Sequence, residues 1–120
     1  MRKLTALMAL SLVSSAIPAV AKTGVGRVVQ CEISGDQGQF IGPCLFTPYG
    51  HGDFAVERLR GKPFYRGAQS FYLAMETPGT AQAAANDGNG SHFWGQLSRS
   101  KAKPACWVDQ QSAIYKICAY

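Results

Sequence analysis

An all-β fold is what this sequence predicts: an antiparallel meander rolled into a small barrel or a two-layer sandwich and held by two disulfides. Three observations carry that expectation. Short β-favouring runs recur every 8 to 15 residues or so between clusters of Gly, Pro, Asn and Asp. No stretch keeps apolar residues at i, i+3, i+4 and i+7 over three turns. Four cysteines fall in two near pairs, each bracketing a turn-rich segment.

The strands expected in order are Arg27 to Ile33, Phe40 to Thr47, Phe54 to Arg60, Phe71 to Glu76, Thr80 to Ala85, His92 to Leu97, Ala105 to Val108 and Ile114 to Ala119. Between them stand Gly35-Asp36-Gln37-Gly38, Pro48 to Asp53, Gly61-Lys62-Pro63, Thr77-Pro78-Gly79 and Asn86 to Gly90. These segments tolerate positive φ or preset a turn. One segment competes as a helix, Gln69 to Glu76 followed by Thr80 to Ala85, because Ala81, Ala83, Ala84 and Ala85 are good helix formers. Pro78-Gly79 interrupts it. Connections this short favour consecutive antiparallel strands, and a single open sheet would not cover its apolar face. Alternation then assigns the core. Phe54 and Val56 share one face, as do Phe71, Leu73 and Met75, and likewise Tyr115, Ile117 and Ala119. Phe93, Leu97 and one or both of Trp94 and Trp107 join them.

Residues 1–21 read as an export signal. Met1-Arg2-Lys3 is a short positive segment, Leu4 to Val13 is apolar but too short to span a bilayer, and Ala19-Val20-Ala21 is a small-x-small cleavage site. The expectation is a periplasmic or secreted protein, cut after Ala21, with 22–120 as a single β-domain and no membrane span. Export makes the cysteines a disulfide framework rather than metal or redox ligands. The local pairs Cys31–Cys44 and Cys106–Cys118 are favoured because each joins neighbouring antiparallel strands. The formal charge of +5 includes Arg2 and Lys3; without them ten Lys/Arg stand against seven Asp/Glu, giving +3. This mild basicity fits an anionic envelope polymer or another exported protein and falls short of a nucleic-acid binder.

Chemistry is sparse. The C-x12-C and C-x11-C spacings are not those of a zinc site, only His51 and His92 offer imidazole, and there is no C-x-x-C, so no metal or other cofactor is expected. No G-x-S-x-G occurs, and Ser91 and His92, being adjacent, would point to opposite faces of a strand. Asn89-Gly90-Ser91 matches a glycosylation acceptor only for a eukaryotic pathway, whereas the compact leader reads as bacterial. The enzymatic alternative is a small secreted nuclease in which His51 and His92 act as acid and base beside Arg58, Arg60 or Lys62.

The most suggestive surface feature is a pair of basic ladders. Arg58, Arg60 and Lys62 recur at every second position, as do Arg99, Lys101 and Lys103, so each would line one side of an extended chain and together they would form one basic face. Tyr65, Arg66, Tyr72 and Trp94 would add aromatic surface beside them, an arrangement that holds sugars or polyanions by stacking plus charge. The competing role of such cations is to keep sheet edges monomeric. Recognition is expected on this face and on the loops Tyr49 to Asp53, which includes His51, and Asn86 to His92, since polar connections on a rigid sheet carry binding.

Trp94-Gly95, Arg99-Ser100, Ala105-Cys106-Trp107 and the closing Ile117-Cys118-Ala119-Tyr120, with Gly42-Pro43-Cys44 and the glycine-rich Pro48 to Phe54 turn, resemble a family of small exported bacterial proteins of unassigned activity. That resemblance implies a Gram-negative periplasmic or secreted β-domain and no catalytic residues. In size, export and disulfide use the chain is also similar to periplasmic lysozyme inhibitors of the small β-barrel type, without a counterpart to their Ser-Gly inhibitory loop. The expectation is therefore a non-enzymatic exported binding protein, with a lysozyme-inhibitor-like protein and a nuclease as alternatives.

Overall fold

A computed structural model describes residues 25–120; the export signal and its cleavage point lie outside the described residues. Eight strands run β1 (Arg27–Gly35), β2 (Gly38–Gly50), β3 (Asp53–Arg58), β4 (Ser70–Thr77), β5 (Thr80–Asn86), β6 (Ser91–Arg99), β7 (Cys106–Asp109) and β8 (Lys116–Ala119). Each pairs antiparallel with the next, and β8 returns to β1, so the meander closes into a barrel. Closure removes both free edges and gives one apolar face a shared interior. Among the described residues no helix is long and apolar enough to cross a membrane.

Each expected run contains a strand, with shifts at the ends. The third stops at Arg58 rather than Arg60, and the last begins at Lys116 rather than Ile114. The alanine-rich segment is a strand because every second alanine is needed inside. Ala81, Ala83 and Ala85 are buried opposite Met75, Leu73 and Phe71 in the β4–β5 ladder. Placing large residues against small ones fills an eight-stranded interior, which is just wide enough for side chains. Ile33, Val56, Leu97 and Ile117 complete that packing.

The disulfides are Cys31–Cys44, joining β1 to β2, and Cys106–Cys118, joining β7 to β8. They flank the seam where the first and last strands meet: Cys31 stands opposite Ala119, and Cys118 opposite Glu32.

Two core assignments are overturned: Tyr115 stands in the β7–β8 connection outside the core, because β8 begins only at Lys116, and Phe93 faces outward. Phe93 is 64% exposed, while its neighbour Trp94 packs against the core. The reason is a β-bulge: Ala83 pairs with Gly95 and Ala84 with Phe93, leaving Trp94 as the extra residue of β6. One inserted residue reverses the alternation on its N-terminal side, so Phe93 turns out and Trp94 turns in.

Antiparallel order fixes which loops share an end. The near end gathers the β1–β2, β3–β4, β5–β6 and β7–β8 connections. The far end gathers β2–β3, β4–β5 and β6–β7. The near end is plugged by the β3–β4 connection, an element absent from the sequence reading. After Arg58 the chain makes a 3-10 turn, Leu59–Gly61, with Arg60 at φ 66°, then tucks in Phe64 and Ala68. Hydrogen bonds from the Phe64 N–H to the Ala68 carbonyl (2.7 Å) and from the Ala68 N–H to the Tyr65 carbonyl (3.0 Å) hold that fold. The Phe64 ring sits 5.2 Å from Phe40 and 5.7 Å from Phe71, covering the core like a stopper.

Candidate functional site

Between the Phe64 plug and the neighbouring loops lies a cleft of about 460 Å³ whose walls include Tyr65, Arg66, His92, Trp94, Tyr115 and Asp36. Four different connections or strand ends contribute to it, so the closed barrel itself positions the site. Trp94 is its centre. The bulge delivers the indole edge-on to Phe71 (centroids 4.8 Å apart) and to Tyr115 (4.9 Å apart, interplanar 77°). Tyr65 completes the aromatic wall, its ring 6.4 Å from Phe71.

The floor is close because Gly35 has no side chain. A Cβ there would lie 2.9 Å from the Tyr65 hydroxyl and 3.0 Å from Cζ2 of Trp94. The Tyr65 hydroxyl is buried and has no hydrogen-bond partner. Desolvation raises its pKa, Trp94 partly opposes that, and the Asp36 charge adds to it. Tyr115 is raised as well, first by hydrogen bonding to the Asp36 carboxylate and then by desolvation. Both phenols therefore stay protonated at neutral pH, the Tyr65 hydroxyl buried behind the aromatic wall and the Tyr115 hydroxyl held against the Asp36 carboxylate.

Asp87 belongs to the same rim and is tied into its own turn, its Oδ1 accepting from the N–H groups of Asn89 (2.8 Å) and Gly90 (3.1 Å). The Asn89 bond first, then Gly90 and the nearby His92, hold its carboxyl below the usual range against desolvation. The cleft thus presents aromatic faces, carboxylate and phenol groups, and Arg66.

The basic sets do not form ladders, and they do not form one face. Arg58 ends β3 and Arg99 ends β6; three antiparallel pairings separate these strands, so the two sets occupy opposite ends of the barrel. Arg60, in the left-handed region, and Lys62 sit in a turn at the near end, while Lys101 and Lys103 sit in the β6–β7 connection at the far end. Regular alternation fails in both because the chain leaves the sheet immediately after the first arginine.

The two sets share one construction. Both read Arg-x-(Arg/Lys)-x-Lys-Pro, as Arg58 to Pro63 and Arg99 to Pro104. Arg58 Nη1 donates to the Pro63 carbonyl at 3.1 Å, and Arg99 Nε donates to the Pro104 carbonyl at 2.7 Å. The guanidiniums also stack, Arg58 over Phe40 at 4.6 Å and Arg99 over Trp107 at 5.6 Å. In each loop the first arginine is a strap, and the two cations after it are exposed. Among the described residues the ion pair found is Lys116–Glu32, which involves neither loop.

The remaining candidates divide between the ends. His92 is at the near end. His51 lies in the far-end turn at φ 57°, between Gly50 and Gly52, so a whole strand length of roughly 20 Å separates the two imidazoles and no acid–base pair is assembled. Tyr49 stacks on Tyr72 (5.5 Å), whose hydroxyl donates to Asp53; this group belongs to the outer wall and far end, away from the cleft. Of the aromatic set expected beside the cations, Tyr65, Arg66 and Trp94 come together and Tyr72 does not. Glu32 approaches Cys106 and Cys118, but both sulfurs are in a disulfide and offer no thiolate to a metal. Sequence alone gives Asp36 only a turn and Tyr115 a core position, and it does not reach the Pro63 and Pro104 carbonyls.

The chain matches no protein-family model, no curated protein and no solved structure.

Proposed function

We propose that this chain is an exported, non-enzymatic binding protein that holds an anionic glycan of the cell envelope in the near-end cleft. The observation that carries the reading is the convergence of Tyr65, Trp94 and Tyr115 with Arg66, on the connection that also displays Arg60 and Lys62. Aromatic rings present flat apolar surface to the C–H face of a sugar, and phenol and carboxylate groups exchange hydrogen bonds with its hydroxyls. Arg66 and the adjacent cations meet its acidic groups. The two disulfides in a small chain support an oxidising compartment.

The test is calorimetric titration of the oxidised protein with oligogalacturonate and with a neutral oligosaccharide of equal length, at low and high salt. The acidic sugar is expected to bind more tightly, and to weaken as salt rises. Trp94→Ala and Arg66→Ala are each expected to lower its affinity about tenfold or more, equivalent to about 1.4 kcal/mol. Binding that survives both substitutions removes the cleft from the function.

A further inference from the structure

We infer that the far end carries a second anion-binding loop, Arg99 to Pro104, and that the protein bridges two strands of anionic polysaccharide. The inference rests on the reading that the near end takes an acidic glycan, and its observation is independent of the cleft: the same strapped loop is built twice, at opposite ends.

In each copy an arginine at a strand terminus reaches five residues forward to a proline carbonyl and lies over an aromatic ring. Proline contributes no N–H and a fixed φ, so its carbonyl is a stiff anchor. The strap uses the first cation for structure and leaves the next two, Arg60 and Lys62 or Lys101 and Lys103, exposed on a tight turn. The far loop is further ordered: the Lys103 N–H donates to Ser100 Oγ (3.0 Å), the Ser100 N–H to the Cys106 carbonyl (2.8 Å) and the Cys106 N–H to the Lys103 carbonyl (2.8 Å). Ordered, unneutralised cations cost less entropy to engage than mobile ones. Beside this loop, Arg99, Trp107, Met75 and His51 line a cleft of about 500 Å³ that also holds Glu76, so the strap arginine stands next to aromatic surface here too.

The geometry decides between one large site and two. At about 3.3 Å per residue along the tilted nine-residue β6, the loops are separated by roughly 25 Å. That exceeds the roughly 8 Å screening length at physiological salt, so the loops act as separate sites. Two sites facing away from one another hold two strands apart rather than one strand tightly.

Tetragalacturonate titration counts the sites, and light scattering with long polygalacturonate reads bridging. Two tetramers are expected per protein, with Lys101→Ala/Lys103→Ala and Arg60→Ala/Lys62→Ala each reducing the count to one. Scattering is expected to rise with wild-type protein, to fall again at excess protein as strands saturate, and to stay at the polymer level for either double variant. Arg27→Ala/Lys116→Ala removes the same charge from outside the loops and is expected to bridge like wild type. Thermal unfolding of each variant verifies the fold. One tetramer per protein, unchanged by the Lys101/Lys103 pair, overturns bridging and leaves the near-end reading standing. Equal loss of scattering in the Arg27/Lys116 variant also overturns bridging, because net charge then explains it. No tetramer bound at low salt overturns both readings.

Discussion

Trp94 and Gly95 are consecutive in β6 yet both face the barrel interior, Trp94 edge-on to Phe71 at 4.8 Å, which leaves Phe93 on the outside and 64% exposed. The bulge opposite Ala84 causes this inversion. It also creates the site, because a regular strand would place phenylalanine in the interior and send the indole to solvent. The larger ring then sits at the barrel mouth, where it packs on the core and faces the cleft at once.

Stability is therefore expected to follow the inverted order. Trp94→Ala removes a ring that contacts Phe71 and Tyr115 and is expected to cost about 3 kcal/mol. Phe93→Ser, on the exposed side, is expected to stay within about 0.5 kcal/mol of wild type. Denaturant midpoints check both, and a larger loss at Phe93 would show that the strand is regular.

Gly35 is the second lever on the cleft. It has no positive φ among the glycines that do, so alanine there meets only a steric obstacle: the Tyr65 hydroxyl at 2.9 Å and the Trp94 ring at 3.0 Å from the new Cβ. Gly35→Ala is expected to destabilise by about 1–3 kcal/mol through overpacking. Near-ultraviolet circular dichroism reports whether Tyr65 and Trp94 shift; an unchanged spectrum and midpoint would mean the floor is looser than described.

Tyr65 and Tyr115 link the cleft to alkaline pH. Both phenols have folded pKa values above their ordinary value, Tyr65 through desolvation and Tyr115 first through its hydrogen bond to Asp36. The folded state then keeps protons that the unfolded chain has released, so their contribution is complete below about pH 10 and is lost as pH rises through the folded values. Tyr65→Phe removes a buried hydroxyl that has no partner, so stability at pH 7 is expected to hold or rise. The decline above pH 10 is expected to become shallower. Urea titrations from pH 7 to 11.5 test this; a steeper decline in the variant refutes the assignment.

The disulfides act on the closure seam. Each joins residues 12 or 13 apart, and loops of that size contribute about 3 kcal/mol by restricting the unfolded chain. Because Cys31 and Cys118 both lie in the β1–β8 register, removing both bridges is expected to raise amide exchange first at Glu32, Ile33 and Ile117. Earlier exchange in the β4–β5 hairpin would place the weak point elsewhere.

Much of this architecture was legible in the chain because turn chemistry is local. Glycine, proline and Asn/Asp clusters marked five of the seven connections, and the cysteine spacing matched two neighbouring strand pairs. What escaped depended on departures from period two. A bulge carries no residue signature of its own, so Phe93 and Leu97 read as one face although Phe93 belongs to the other. Extended geometry was assumed through Arg60 and Lys62, where a left-handed residue turns the chain. The Phe64 plug was hidden because a single turn of irregular backbone has no period to detect. The cleft was half visible: Tyr65, Arg66, His92 and Trp94 were singled out, but Asp36 and Tyr115 reach it only through barrel closure.

The strap in the basic loops distinguishes arginine from lysine. Arg99 donates through Nε to Pro104 while its guanidinium plane lies over Trp107, two contacts a point-charge ammonium does not reproduce together. Arg99→Lys keeps the charge, so a purely electrostatic role predicts no change. The strap instead predicts a loss of about 1–2 kcal/mol, the sum of one hydrogen bond and an exposed cation–π contact. Local order is expected to fall as well, seen as faster amide exchange at Lys103 and Cys106, whose N–H groups are bonded within the loop. Arg58→Lys is the parallel case at the near end, and there the loss reaches the cleft, because the connection that Arg58 ties down carries Tyr65 and Arg66 two and three residues after Pro63. If both lysine variants match wild type in stability and exchange, the shared construction of the two loops has no mechanical role.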